Sequence, residues 1–155
     1  MLLAAEQAGG HVIGNHSFTH AHFRQLSRDQ IVRELQETET LLDDFTSLHL
    51  IRPPFGEDDA RVRAIFRELG YVEVKWNVQT ADVSWEAKYE KGEPDICERY
   101  VKHVVNVATK KHGGIVLFHD TERITTDNLP SIIEALEQNG FTFMPLTYFL
   151  NLGKR

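Results

Sequence analysis

Three short stretches hold side chains suited to metal binding or acid–base catalysis. In Gly10 to His20, GHVIGNHSFTH, two histidines stand four residues apart at His16 and His20, a spacing that predicts both imidazoles on one side of a helical turn. Neutral imidazole is the commonest ligand for zinc-like ions, so the pair could begin a metal site. A polar turn with two solvated or helix-capping histidines is the alternative. A zincin-type protease is disfavoured because Ser17, not glutamate, follows His16. His22, six residues on, falls on the wrong face of that turn. The second stretch is Arg52-Pro53-Pro54-Phe55-Gly56, where the alternative is a surface arginine before a turn. The third is His119-Asp120, directly after the apolar run Ile115-Val116-Leu117-Phe118. That place favours a functional histidine over a core one satisfied by a single backbone bond. Asp120 is a poor partner for it, since adjacent side chains on a strand point apart.

These stretches need elements to position them. At 155 residues the chain is expected to be one domain, 1–155. Apolar residues at 41 % and charged residues at 26 %, with no long apolar run, fit a globular class and no membrane span. The start, MLLAAEQAGG, lacks the basic region of a signal peptide and reads as a helix closed by Gly9-Gly10. A net charge of -6 without a basic stripe argues against nucleic acid. The single Cys97 excludes an internal disulfide.

A strand is expected through Val12-Ile13 to Asn15. Ser27-Arg28-Asp29-Gln30 forms a capping box before a helix with Ile31, Leu35, Thr38, Leu42 and Phe45 on one face. Leu48 to Ile51 reads as a second strand and Asp58 or Asp59 as the cap of a helix ending at Gly70. Tyr71 to Val78 alternates, with Val72, Val74, Trp76 and Val78 on the apolar face, and reads as a third strand. Gln79 to Glu93 reads as a long polar loop containing Trp85, followed by a helix from Pro94 to about Lys111. A buried strand at 115–118, a helix from about Pro130 to Asn139, and a strand from Phe141 to Leu146 complete the pattern. Strands alternating with helices predict an α/β fold with parallel strands and right-handed crossovers. The chemistry-bearing stretches all follow strands, so they should gather at the strands' C-terminal ends.

Together the motifs resemble the polysaccharide deacetylase family, the metal-dependent NodB-type carbohydrate esterases, over Gly10 to about Leu150. GNHSFTH is similar to its His-Ser/Thr-x-x-His motif, RPPFG to its Arg-Pro-Pro-Tyr/Phe-Gly motif, and IVLFHD to the motif carrying its catalytic histidine. The resemblance implies a partial, distorted (β/α) barrel and removal of N- or O-linked acetyl groups from an acetylated polysaccharide or oligosaccharide. It further implies that His16 and His20 bind zinc or a similar divalent ion and that His119 is the general acid. Arg52 would orient the base, the backbone near Phe55, with Pro54 and Gly56, would hold the oxyanion and substrate, and Leu117 would line the acetyl pocket. Trp85 is a candidate sugar-stacking platform, whereas Trp76 reads as core. An extracellular or periplasmic location also follows from the resemblance.

Two departures stand out. The family's opening Thr-Phe-Asp-Asp strand, which carries the base and the third metal ligand, has no counterpart before Gly10, and neither Asp43-Asp44 nor Asp58-Asp59 has its strand-end context. Where the family shows Asp-x-x-Asp-Trp, Gln79-Thr80-Ala81-Asp82-Val83 retains only the later aspartate, making Asp82 the candidate partner for His119. An inward Arg52 without its carboxylate would cost on the order of 3–5 kcal/mol, and the Val12-Ile13 strand would show an open edge inviting self-association. Both considerations lead to the expectation that these residues belong to a longer deacetylase domain. The alternative function is a catalytically inactive metal- or carbohydrate-binding module.

Overall fold

The computed structural model describes residues 2–42, 45 and 48–149; the Asp43-Asp44 pair and Leu150 lie outside the described residues. The fold is α/β with parallel strand pairs, arranged as two compact units. One runs through Lys75 and takes in residues from Met144 on, and the other is Trp76–Phe143.

The first unit begins with helix α1 (Leu2–Ala8). Gly10, at φ +77°, closes it in the left-handed region that glycine adopts without steric cost. The expected strand at Val12-Ile13 is reduced to an extended segment with one parallel bridge, Asn15 to Ile51. Gly14 lets this segment lie close to its neighbour, since a Cβ there would stand 3.3 Å from the Leu50 carbonyl oxygen. The capping box forms: Ser27 N–H donates to Gln30 Oε1 at 2.8 Å and Gln30 N–H to Ser27 Oγ at 3.3 Å. It starts α2 (Arg28–Leu42), which buries Ile31, Leu35 and Leu42. Strand β1 (Leu50–Ile51) leads through the two prolines to α3 (Ala60–Glu68), where Asp59, not Asp58, is the cap, accepting from Val62 N–H at 2.8 Å. Strand β2 (Val72–Glu73) pairs in parallel with β1. The core gathers Phe23, Ile31, Leu35, Ile51, Val62, Ile65, Phe66 and Tyr71.

The single strand expected over Tyr71 to Val78 is two. Val74 N–H bonds to the Ile51 carbonyl, whereas the Asn77 and Val78 N–H groups both bond to the Ile115 carbonyl, so the chain changes partner in between. The alternation misled because Tyr71 is buried with its hydroxyl accepting from Asn15 Nδ2, while Val72 is 40 % exposed.

In the second unit, β3 (Val78–Gln79) pairs in parallel with β4 (Val116–Leu117). Asn77 extends this pairing with its side chain, accepting from Ile115 N–H and donating to the Gly113 carbonyl; Gly114 makes room, since a Cβ there would collide with the Asn77 amide. Between them the expected polar loop holds a helix, α4 (Asp82–Glu90), which packs Trp85 and Tyr89 against the core. Helix α5 (Ile96–Lys110) follows. After β4 come α6 (Arg123–Thr126) and α7 (Leu129–Gln138). The core is built from Val78, Ile96, Tyr100, Val104, Ala108, Ile124, Ile132 and Leu136. No strand forms over Phe141 to Leu146. Phe143 and Met144 are more than half exposed, and Pro145, which has no N–H for a ladder, precedes the single turn α8 (Leu146–Phe149).

Candidate active site

The site residues fall into two clusters, one in each unit. In the first, His16 and His20 do meet, with ring centroids 5.0 Å apart, edge to face. They meet without the helical turn that the spacing predicts. Residues 16–20 are irregular, and Ser17 and His20 have φ of +66° and +58°. Asn15 begins this turn: it is buried, donates its Nδ2–H to the Leu35 carbonyl at 2.9 Å and accepts Ser17 N–H on Oδ1 at 2.9 Å. This is the side-chain-to-backbone bond through which asparagine shapes turns. Glu34 on α2 accepts the next donors, Phe18 N–H at 3.0 Å, Thr19 N–H at 2.7 Å and the Thr19 hydroxyl at 2.7 Å.

His16 Nδ1 stands 2.6 Å from the Arg52 carbonyl oxygen. A carbonyl can only accept, so Nδ1 carries the proton and Nε2 carries the lone pair. An imidazole oriented in this way suits metal ligation, where the second ring nitrogen is usually tied to a carbonyl or carboxylate. His20 and His16 therefore fit as two donors to a zinc-like ion. Among the described residues, no group of three or more His, Cys, Asp or Glu is placed to hold a metal.

Around them, the Arg52-Pro53-Pro54-Phe55-Gly56 stretch forms a tight turn with both prolines buried and Phe55 at φ +59°. Arg52 is half-buried and its Nε donates to the Val74 carbonyl at 3.2 Å, which gives the guanidinium a backbone acceptor; burial lowers its pKa. Phe55 is 52 % exposed, in edge contact with His20 at 4.6 Å and stacked on His22 at 3.9 Å. His22 Nδ1 in turn bonds Glu57 Oε2 at 3.0 Å. Residues that sequence reasoning missed here are Asn15, Glu34 and the His22–Glu57 pair; only Asn15, in a Gly-Asn turn, carried a local signal.

In the second cluster, the parallel register sets Gln79 opposite Leu117. Asp82, just beyond β3, and His119, just beyond β4, consequently meet. Asp82 is 1 % exposed on its side chain and His119 is 43 % exposed. Asp82 Oδ2 accepts His119 N–H at 2.6 Å, while Oδ1 accepts the ring Nδ1–H at 2.9 Å. Val83 N–H at 3.0 Å and the Thr125 hydroxyl at 3.3 Å complete the carboxylate's shell. The ring's Nε2 is the nitrogen left for other chemistry. Asp120, as expected, does not enter this pair; it is exposed.

Leu117 is buried, its carbonyl accepting the Thr80 hydroxyl at 2.6 Å. Trp85 is not on a loop. It sits on α4 with its ring against Tyr100 and His103 and the Lys88 ammonium 4.6 Å from its centroid, which removes the loop context that suggested a sugar platform.

Residues 1–74 match the family model described as polysaccharide deacetylase. Over these residues the chain is similar to polysaccharide deacetylases. Among curated relatives, the peptidoglycan-N-acetylmuramic acid deacetylase PdaA of Bacillus subtilis is 33 % identical over 138 residues, covering 86 % of this chain and 49 % of the relative. Among solved structures, a family 4 carbohydrate esterase from Streptomyces lividans in complex with acetate superposes with TM-score 0.71 at 26 % identity, covering 90 % of this chain and 67 % of that one. A CE4 family pseudoenzyme from Bacillus anthracis superposes with TM-score 0.68 at 27 % identity, covering 90 % and 46 %. The chain spans about half the length of the PdaA relative that it matches. No helix among the described residues is long and apolar enough to cross a membrane.

Proposed function

We propose that this chain carries the histidine machinery of a metal-dependent hydrolase that removes acetyl groups from a polysaccharide or amino sugar. The observation that carries it is the Asp82–His119 pair, in which a buried carboxylate holds both the backbone and the ring of a half-exposed histidine. With Nδ1–H committed to Asp82, His119 presents Nε2 as the atom that would deliver a proton to the departing amine or alcohol. A general acid so placed contributes about 10²–10⁴ in rate.

His16 and His20 would hold the ion, with zinc the expected metal. When bound, such an ion acidifies water and polarises the acetyl carbonyl. The chain's own residues do the rest. His16 keeps its ligand tautomer through the Arg52 carbonyl, Arg52 would orient a base, and the turn at Pro54, Phe55 and Gly56 would present backbone to the developing oxyanion. Leu117 would bound the acetyl methyl. The partial, distorted barrel and an extracellular or periplasmic location belong to the same proposal, supported by the likeness to carbohydrate esterases.

One observation favours a second reading, a binding module without turnover: no third metal donor stands with His16 and His20 among the described residues. Zinc titration by calorimetry followed by acetate release from an acetylated chitooligosaccharide separates the two. Release that His119→Ala abolishes is the expected result for the enzyme. Zinc binding with no release overturns it in favour of the binding module.

A further inference from the structure

The turn that brings His16 and His20 together is held in a conformation that its own residues do not favour. Ser17 at φ +66° and His20 at φ +58° lie in the left-handed region, which costs an ordinary L-residue roughly 1–2 kcal/mol. Such residues persist where the surroundings over-determine them. Between them, Phe18 N–H, Thr19 N–H and the Thr19 hydroxyl all converge on one side chain, Glu34, at 3.0, 2.7 and 2.7 Å. A carboxylate offers acceptors only, so it is matched to three donors presented from one side, and hydrogen bonds to an ionised group are about twice as strong as neutral ones. Glu34 is itself placed by α2, whose neighbouring residue Leu35 is 1 % exposed and whose Leu35 carbonyl accepts from Asn15, the residue that begins the turn. One rigid helix thus grips the turn twice, at Asn15 before His16 and at Phe18-Thr19 before His20.

We propose that Glu34 is a positioning residue for the His16–His20 pair: its carboxylate holds the backbone between the two imidazoles in the left-handed turn that brings their rings together. The inference rests on the reading of those histidines as metal ligands, but its physical content, the fixed turn, stands in the metal-free chain. The step from turn to ligand is short. Releasing Phe18 and Thr19 loosens the backbone at His20, leaving only the Asn15 bond to Ser17 and the edge contact with Phe55 to hold the two rings in register.

The test uses the chain as it stands, with zinc as the probe. Glu34→Ala is expected to weaken zinc binding, read by calorimetry, by about 10- to 100-fold, as loss of an outer-shell partner does. Glu34→Gln is expected to recover most of the affinity, because its carbonyl oxygen can accept both amides and its NH₂ can donate to the Thr19 hydroxyl. Arg28→Ala, which removes an exposed ion pair with Glu68 on α3, is expected to bind zinc as the wild type does. Metal-free spectra of the labelled histidine rings and of the Phe18 and Thr19 amides supply a second readout: Glu34→Ala should shift these amides and give His20 altered ring signals. Wild-type zinc affinity in Glu34→Ala together with unmoved amide and ring signals overturns the proposal. Should the wild type itself take up no zinc, the metal reading fails and the spectra alone decide the clamp. If Glu34→Ala does not fold, Glu34→Asp keeps the charge and loses one methylene of reach; unmoved Phe18 and Thr19 amides in that variant overturn the proposal equally.

Discussion

Replacing Asp82 by asparagine probes the second cluster with the smallest change in shape. The carboxylate receives four donors, two from His119 and one each from Val83 and Thr125. An amide has one acceptor oxygen and one NH₂, so one pair of those donors must face another donor. Each side holds one backbone N–H that cannot reverse its polarity, that of His119 at 2.6 Å on Oδ2 and that of Val83 at 3.0 Å on Oδ1; the shorter bond keeps the oxygen, and on the other side the ring can move its proton to Nε2 and accept at Nδ1. The variant should therefore keep its amide oxygen on the His119 backbone N–H and invert the His119 tautomer, leaving the doubly protonated ring without its acceptor. One charge-assisted bond is worth about 1.5–3 kcal/mol, or roughly 10- to 150-fold in the rate of a step that needs that form. Crowding of donors in a buried site costs about 1–3 kcal/mol of stability, which for a chain of this size lowers the melting temperature by about 2–12 °C. Calorimetric melting needs no substrate, and acetate release from the acetylated chitooligosaccharide gives the rate. An Asp82→Asn variant that melts with the wild type and keeps the Nδ1–H tautomer in ring-nitrogen spectra would show that the carboxylate does not set the His119 tautomer.

Other consequences are accessible to simple measurements. Asp59→Ala, which removes the α3 cap on Val62 N–H, should cost about 0.5–2 kcal/mol in urea unfolding. Tyr71 and Tyr100 are pushed above the ordinary phenol value first by burial, and Tyr71 also by Glu39. Because the unfolded phenols release their protons from about pH 10 while the folded ones keep theirs, the unfolded state binds fewer protons there and stability falls as pH rises through that value. Unfolding midpoints, followed over about one pH unit either side of that value, should decline in the wild type and flatten in the double variant Tyr71→Phe/Tyr100→Phe. Phe66→Ala, emptying a fully buried position in the first core, should cost about 3–5 kcal/mol.

Much of the helical framework was legible because its signals are local. The Ser27–Gln30 box and the Ile31-Leu35 stripe each lie within a few residues and form as read, and of the two cap candidates it is Asp59 that caps α3. Strand readings fared less well, since an extended segment is defined by its partner. Tyr71 to Val78 looked continuous, yet Val74 pairs toward Ile51 and Val78 toward Ile115. Phe141 to Leu146 had the composition of a strand and found no ladder.

The site divides along the same line. From residue types and motifs the sequence determined that His16, His20, Arg52 and His119 are the groups to watch, and that Asp82 was the aspartate available for His119. His16 and His20 do lie together, but for a different geometric reason than their spacing implied: the helical turn is absent, and a left-handed turn held by Asn15 and Glu34 brings the rings together instead. Folding alone brings Asp82 to His119, through a β3–β4 register that pairs residues 38 apart in the chain, and packs Trp85 on Tyr100. Chemical identity is carried residue by residue and survives in the sequence. Juxtaposition is set by which strands pair and which helix face turns inward, and those are properties of the folded chain.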